Sequence, residues 1–132
     1  MRTERLRAEL ELVRDLHGDF KADDRLTWML LPSWPLPAGW NVAATALAII
    51  LPPAYPTTPP DNFYVASTLR LASGAMPGNT SLASAVSGLP PGDWLRFSWH
   101  IEANWMPAPE PVAGDNLLTF LASVTQRLAE VG

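Results

Sequence analysis

The chain has 132 residues, of which 48% are hydrophobic and 17% charged, and its formal net charge is −4. This composition predicts one globular domain spanning residues 1–132 rather than a disordered chain. The negative charge argues against a nucleic-acid-binding protein, which would present a basic face. No apolar run is long enough for a membrane span, and Met1–Leu16 is too charged for a signal peptide. We therefore expect a cytoplasmic protein.

Cysteine is absent from the sequence, and this excludes disulfides, thiolate metal sites and thiol catalysis together. Only His17 and His100 could supply imidazole ligands, and no other ligand spacing supports them, so we expect no metal site. The sequence has neither a Walker loop nor a Gly-x-Gly-x-x-Gly motif, so we expect no nucleotide site and no cofactor.

Amphipathic helices are predicted near both ends of the chain. Segment 2–16 carries apolar residues at spacings of three and four, and Gly18 follows it as a stop signal. Its apolar stripe consists of Leu6, Leu10 and Val13, and Leu16 could extend it. The second helix is predicted to span about 15 residues after an N-cap at Asp115. Its apolar positions are Leu117, Leu118, Leu121, Val124, Leu128 and Val131.

Four extended segments are predicted between the helices. They are Asp24–Leu31, Trp40–Leu51, Asn62–Ala66 and Trp94–Ile101. Pro32 is predicted to interrupt the first of them, and the proline-rich stretch that continues to Gly39 is predicted as a turn. Residues 67–93 are rich in Ser, Gly, Ala and Pro, and a stretch of that length in a compact domain usually carries function or short elements of its own.

Basic residues are concentrated in the first helix, which holds four of the nine in the chain: Arg2, Arg5, Arg7 and Arg14. Arg2, Arg5 and Arg7, together with Glu9 and Glu11, fall largely off the apolar stripe. The simplest interpretation is a solvated helix face. The alternative interpretation is a docking face for a partner protein.

The stretch Leu51–Val65 contains five of the 14 prolines and follows the most apolar run of the sequence. Proline fixes φ and donates no backbone hydrogen bond, so this density predicts a stiff, ordered crossing between two strands. Its spacing, L-P-P-A-Y-P-T-T-P-P, resembles the P-x-x-Y-P-x-x-P-P signature of ubiquitin-conjugating enzymes. We predict a cis bond between Tyr55 and Pro56, because an ordered cis proline is typical of tight turns and because the resemblance implies one.

The order of elements extends this resemblance over nearly the whole chain and implies an α+β, ubiquitin-conjugating-like fold with an antiparallel meander. In that family a Trp-x-Pro-Ala sequence follows the acyl-carrying cysteine by about eight residues, and Trp105–Ala108 is similar to it. Counting back eight residues gives Phe97 as the position of the cysteine. The chain is most similar in pattern to bacterial ubiquitin-conjugating-like proteins of the prokaryotic family E type, which keep a histidine here and lack the cysteine.

Ser98 and His100 are the candidate catalytic residues near that position. A serine hydroxyl needs an adjacent base before it can attack an acyl group, and two residues of extended backbone would bring both side chains to one face. The family's His-Pro-Asn motif is absent from this segment. Its nearest counterpart is Met76–Asn79, and Asn79 is a candidate oxyanion donor if the long loop folds back over the site.

Two functions remain open at this point. In the first, the chain is an acyl carrier or transferase that receives a ubiquitin-like protein from an activating enzyme as an oxyester on Ser98, with His100 as base. In the second, it is a catalytically inactive module of the same fold that binds a ubiquitin-like protein or scaffolds the activating enzyme. The resemblance implies these two partner proteins for either function. It also implies that the first helix meets the activating enzyme.

Overall fold

The computed structural model describes residues 2–101 and 104–131. These residues form a six-stranded sheet, with one helix before it and one helix after it along the chain. The first helix, α1, spans Arg2–His17, and the last, α2, spans Leu117–Ala129. The strands are β1 Lys21–Ala22, β2 Trp28–Pro35, β3 Ala44–Ile50, β4 Phe63–Ala66, β5 Thr80–Ser84 and β6 Asp93–Phe97. No helix in the described ranges is long and apolar enough to cross a bilayer.

The strands pair antiparallel in the order β1-β2-β3-β4-β6-β5. The chain therefore passes from β4 to the sheet edge, where β5 lies, and returns to form β6 between them. This α+β arrangement confirms the predicted fold class and is consistent with a ubiquitin-conjugating-like fold. The departure from a simple meander at β5 and β6 places the end of β6 beside the beginning of β5.

The main hydrophobic core lies between the helices and one face of the sheet. Both helices and the alternating residues of the central strands contribute to it, including Leu6, Leu10, Val13, Met29, Leu47, Ile49, Phe63, Val65, Leu95, Phe97, Phe120, Leu121 and Val124. Phe63 and Phe97 stack with ring centroids 4.6 Å apart, which joins β4 to β6 within the core. The opposite face carries a smaller cluster of Ala48, Tyr64 and Trp94, against which Val86 and Leu89 of the β5–β6 loop pack.

The strand predicted to stop at Pro32 continues to Pro35, so that boundary was wrong. The register against β3 shifts between Leu31 and Trp34, which places Pro32 and Ser33 in a bulge. Because bulged residues are not paired in the ladder, the missing N–H of Pro32 does not break the strand.

Asp23 organises the turn that leads into this strand. Its carboxylate accepts hydrogen bonds from the Thr27 hydroxyl and from the backbone N–H groups of Thr27 and Trp28. Burial alone would raise the pKa of Asp23, but these hydrogen bonds to the charged form outweigh it and hold the pKa below its ordinary value.

The ends of the helices differ from the predictions by small amounts. The N-cap of α2 is Asn116, whose side chain accepts the Thr119 N–H in a capping box, and the predicted cap Asp115 instead accepts the N–H of Met106 at 2.7 Å. In α1 the buried stripe ends at Val13, and Leu16 is exposed rather than part of it. The helix itself ends at His17, and the φ of +88° at the following Gly18 explains the stop.

The proline-rich stretch forms the crossing from β3 to β4, as predicted. The bond between Tyr55 and Pro56 is cis, which confirms that prediction. Although the crossing lies outside the sheet, its Tyr55, Pro59 and Pro60 side chains are buried. This burial fixes the crossing against the rest of the domain.

Candidate functional site

The candidate site begins where the chain leaves the sheet after β6. The strand predicted to continue to Ile101 ends at Phe97, and residues 98–101 are irregular. Asn62 holds this segment from the proline crossing: its N–H donates to Trp99 O at 2.8 Å, and its Oδ1 accepts the Trp99 N–H at 3.1 Å. The Trp99 indole also donates to Ser123 Oγ of α2 at 3.0 Å, so the segment is fixed from two sides.

His100 forms a hydrogen bond through Nδ1 to Oδ1 of Asp61, at the end of the proline crossing. The side chains are 60% and 49% exposed, respectively, so the pair faces solvent. Because Asp61 uses Nδ1, a proton transferred by this imidazole would pass through Nε2. Asp61 was not predicted from the sequence, since it lies 39 residues from His100. Its only sequence signal is its place directly after the prolines.

Ser98 is exposed, and within the described ranges no hydrogen bond joins its hydroxyl to His100. The expected alternation of side chains does not extend to this pair, because the strand ends at Phe97 before either residue. The structure therefore places Ser98 and His100 in one short segment without a hydrogen bond between their side chains in the described ranges. Whether either residue is catalytic stays a prediction.

Asn79 lies directly beside Ser98. The Ser98 N–H donates to the backbone oxygen of Asn79 at 2.9 Å, so the long loop does fold back to this point. Asn79 adopts a φ of +55°, a left-handed conformation that asparagine tolerates better than most residues. A shallow cleft of about 390 Å³ adjoins Asn79 and is lined also by Gly78, Arg127, Glu130 and Val131.

Arg127 of α2 is a buried residue that was not predicted from the sequence. Its Nη2 donates to Gly78 O and its Nη1 to Glu130 O, both at 2.8 Å. The guanidinium also lies over the ring of Phe97, 5.1 Å from the centroid. Arg127 thus fixes the backbone just before Asn79 to both the last helix and the end of β6.

Trp105, of the Trp-x-Pro-Ala sequence, anchors the proline crossing. Its indole N–H donates to Pro56 O at 2.7 Å, and its ring lies 6.1 Å from that of Tyr55. Two sequence motifs 49 residues apart are therefore in contact. The end of the same crossing, at Asp61 and Asn62, bonds to the segment that contains Ser98 and His100.

Glu9 is 1% exposed, so the prediction that it lies largely off the buried stripe was wrong. Its carboxylate accepts the Tyr55 hydroxyl, the Leu117 N–H at 2.7 Å and the Arg5 Nε at 2.7 Å. Arg5 is 10% exposed and also donates to Ala108 O, which extends the network to the Trp-x-Pro-Ala loop. Burial, and then the hydrogen bond to Glu9, raise the pKa of Tyr55 far above its ordinary value.

The four arginines predicted to form a docking face have different environments. Arg2 donates to the backbone oxygens of Leu26, Leu51 and Pro52, and Arg5 belongs to the buried Glu9 network. Arg7 and Arg14 are exposed and border a cleft of about 750 Å³ between α1 and the β1–β2 region. The docking role of all four stays a prediction, and Arg7 and Arg14 are the two accessible to a partner.

Metal-binding clusters are absent from the described part of the chain, in which no three His, Cys, Asp or Glu residues converge. The side chains at the candidate site are an exposed hydroxyl, an imidazole paired with a carboxylate, and an asparagine.

The fold, the proline crossing and the Trp-x-Pro-Ala loop define a ubiquitin-conjugating-like protein. A family model, prokaryotic E2 family E, matches residues 13–131, and the chain belongs to that family. The absence of cysteine is consistent with this membership. The family supports a conjugating-enzyme-like role in a ubiquitin-like system and implies interaction with a ubiquitin-like protein and an activating enzyme. No curated protein and no solved structure matches the chain.

Proposed function

We propose that the chain accepts a ubiquitin-like protein from an activating enzyme as an oxyester on Ser98, with His100 as the base. The observation that carries the proposal is the hydrogen bond between His100 Nδ1 and Asp61. A carboxylate on one nitrogen orients the imidazole and stabilises its protonated form, which leaves the other nitrogen to take a proton from a nucleophile. A serine needs such a base because its hydroxyl is far less acidic than a thiol.

In the proposed transfer, the Ser98 oxygen bonds to the carbonyl carbon of the thioester that links the ubiquitin-like protein to its activating enzyme. The carbon–sulfur bond breaks, and the enzyme's thiolate leaves. The Ser98 proton passes to His100 Nε2 and from there to the leaving thiolate, so protons and charge balance. In this proposal Asn79 stabilises the oxyanion, and the backbone hydrogen bond that holds it beside Ser98 supports this role.

The two exposed side chains must approach each other for this step. Both lie on the irregular segment after β6, where a rotation of side chains does not disturb the sheet. Catalytic hydrogen bonds are often long or absent without substrate and tighten when it binds. The proposal therefore requires a Ser98–His100 hydrogen bond in the acyl-transfer complex.

A denaturing gel after incubation with activating enzyme, ubiquitin-like protein and ATP tests the proposal. We expect an adduct that resists thiol reductant and is cleaved by hydroxylamine. Ser98→Ala should abolish it, whereas Ser33→Ala, at an exposed serine in the β2 bulge, should not. His100→Ala should slow its formation by about 10²–10⁴. An unchanged adduct in Ser98→Ala would overturn the assignment of the carrier.

The second candidate function is a binding module that presents the ubiquitin-like protein without carrying it. The missing hydrogen bond between Ser98 and His100 within the described ranges favours this candidate. It predicts saturable binding of the ubiquitin-like protein or activating enzyme by calorimetry with no covalent adduct on any gel. Observation of the hydroxylamine-sensitive adduct would exclude it.

A further inference from the structure

Strand β5 is an open edge of the sheet. It lies at the end of the strand order, and within the described ranges no strand pairs with its outer side. Exposed edges are usually protected by lysine, proline or a bulge, but β5 reads T-S-L-A-S and pairs with β6 in one continuous register. An unprotected edge offers backbone groups on which another extended chain can add as a strand.

The register identifies which backbone groups of β5 face outwards. In antiparallel pairs, opposite residues alternate between hydrogen-bonded and non-hydrogen-bonded. The flanking pairs Asn79–Ser98 and Ala85–Gly92 are both hydrogen-bonded, and β5 continues the same register between them. Ser81 and Ala83 therefore bond to β6. The outward-facing N–H and C=O groups are those of Thr80, Leu82 and Ser84.

The open edge leads to the candidate site. Thr80, the first residue of β5, lies opposite Phe97, and the preceding Asn79 is bonded to Ser98. A strand added antiparallel to β5 would run from the Ser84 end to the Thr80 end. Its own C-terminal end would therefore emerge next to Asn79 and Ser98.

We propose that the edge of β5 binds the C-terminal tail of the ubiquitin-like protein as an added antiparallel strand, which directs the tail's terminal carbonyl to Ser98. This inference rests on the proposed function for its occupant, because an acyl group on Ser98 must come from the C-terminus of a protein chain. Antiparallel addition is the direction that brings a C-terminus to the site, whereas parallel addition would bring it to the opposite end of β5.

The distances allow this arrangement. Neighbouring strands lie about 4.8 Å apart, so an added strand would be about 10 Å from the backbone of Ser98. Roughly three extended residues beyond Thr80 can span this gap. β5 begins after the turn at Gly78–Asn79, so the tail has to cross only this turn, and not a continuing strand, to reach Ser98.

The side chains of β5 suit a flexible tail. They are small except for Leu82, which is 60% exposed although it lies opposite the buried Leu95. A tail residue directly opposite Leu82 would lie on the same face and cover it. The small neighbours Thr80 and Ser84 leave room for varied tail residues, so most of the affinity would come from the backbone.

The test places the tail at the site without relying on catalysis. Because the native chain has no cysteine, Ser98→Cys provides a single thiol. The probe is the ubiquitin-like protein that the activating enzyme adenylates, which a pyrophosphate-exchange assay identifies. Its last residue is replaced by a cysteine whose thiol is activated for disulfide exchange. Amide hydrogen exchange is then measured by NMR on the disulfide-linked pair and on unlinked Ser98→Cys protein.

An alternating pattern of protection is expected. Exchange of the Thr80, Leu82 and Ser84 amides should slow by at least about tenfold on linkage, since they gain hydrogen bonds. Ser81 and Ala83 should change little, because their amides already bond to β6. The same probe linked to Ser33→Cys, four strands away from β5, should produce no such pattern. Unchanged exchange at the three outward amides in the Ser98-linked pair would overturn the proposal.

Leu82 allows a further test of the backbone. Leu82→Pro removes an outward-facing N–H and leaves the ladder to β6 intact, a position where edge strands tolerate proline. Leu82→Ala removes the side chain but keeps the N–H. Proline should abolish the protection of Thr80 and Ser84, and alanine should retain it. An equal loss of protection in both variants would show that the tail binds through the Leu82 side chain and not through backbone hydrogen bonds to β5.

These measurements separate the two proposals. If native protein forms no Ser98 adduct but the linked pair shows alternating protection, the edge-strand inference holds and the oxyester function fails. If the adduct forms and the linked pair shows no protection at β5, the function holds and the inference fails.

Discussion

The carboxylate of Glu9, on α1, accepts the backbone N–H of Leu117, the first residue of α2, at 2.7 Å. A negative charge at a helix N-terminus is favourable because unpaired N–H groups and the helix dipole converge there. The same carboxylate holds Tyr55 of the proline crossing and Arg5. One buried side chain therefore joins the first helix, the crossing and the last helix.

Removal of the Glu9 charge should be strongly destabilising. Glu9→Gln leaves the buried Arg5 without its counter-charge, and breaking a buried pair in this way costs about 3–5 kcal/mol of unfolding free energy. Urea denaturation measures the difference. Glu11→Gln is the matched control, because Glu11 lies on the same helix and forms an exposed ion pair with Arg14 at 3.5 Å. Its loss should change stability by less than about 1 kcal/mol. Equal effects would show that the Glu9 network contributes no more than a surface pair.

The phenol of Tyr55 should make stability sensitive to alkaline pH. Its raised folded-state pKa means that the folded protein binds this proton more tightly than the unfolded chain does. The stabilisation is therefore complete below the ordinary tyrosine pKa of 10.0 and declines as pH rises above it. Tyr55→Phe should lose about 1–2 kcal/mol at neutral pH and should show a weaker alkaline decline in urea titrations. An identical alkaline decline in the variant would contradict this prediction.

Asp23 should have the opposite effect at acid pH. Its folded-state pKa is below the ordinary value of 3.8, so its stabilisation is present above that value and is lost as pH falls through the folded pKa. Asp23→Asn should be less stable than the native chain near neutrality and should show a smaller loss on acidification. Denaturation curves across this acid range measure both effects. Asp24→Asn, at the exposed neighbouring residue, is the control and should follow the native curve.

The arginines of α1 should separate into structural and accessible residues. Arg5→Ala should destabilise the fold by about 3–5 kcal/mol because it leaves Glu9 buried without its partner. If α1 docks on the activating enzyme, Arg7→Ala with Arg14→Ala should slow association and weaken its salt dependence while changing stability little. Arg25→Ala, exposed but off the helix, controls for the loss of one positive charge and is compared with Arg7→Ala and Arg14→Ala as single variants. Unchanged association at low salt in the double variant would count against the docking face.

Local rules were sufficient to predict the buried face of α1 from the apolar spacing of Leu6, Leu10 and Val13, and the ordered crossing from its proline density. The overall fold was predicted from the resemblance to ubiquitin-conjugating enzymes, which also supported the cis bond in the crossing. Strand β5 was missed because T-S-L-A-S has one large apolar residue and lacks a clear alternation. It forms because its backbone completes the ladder with β6, which is a tertiary effect.

The charged residues were harder to predict because their partners are distant in the chain. Glu9 and Arg127 are the type of residue that normally faces solvent on a helix, and both are buried by contacts with residues 46 to 108 positions away. His100 was found from its place near the Trp-x-Pro-Ala sequence, but Asp61 was not. No local pattern connects a carboxylate after the prolines to an imidazole after β6.

Asp61 provides the last prediction, which concerns the rate of acyl transfer. If Asp61 orients His100, Asp61→Asn should slow adduct formation because an amide can hold the imidazole in the wrong tautomer and does not stabilise its protonated form. The Asp61–His100 pair is half-exposed, so the loss of transfer rate should be smaller than the roughly 10²–10⁴-fold loss expected for His100→Ala. Combining both substitutions should cost no more than His100→Ala alone, since residues acting as a unit are not additive. Single-turnover transfer from the loaded activating enzyme measures the four rates. Additive losses in the double variant would show that Asp61 acts separately from His100, for example by holding the crossing in place.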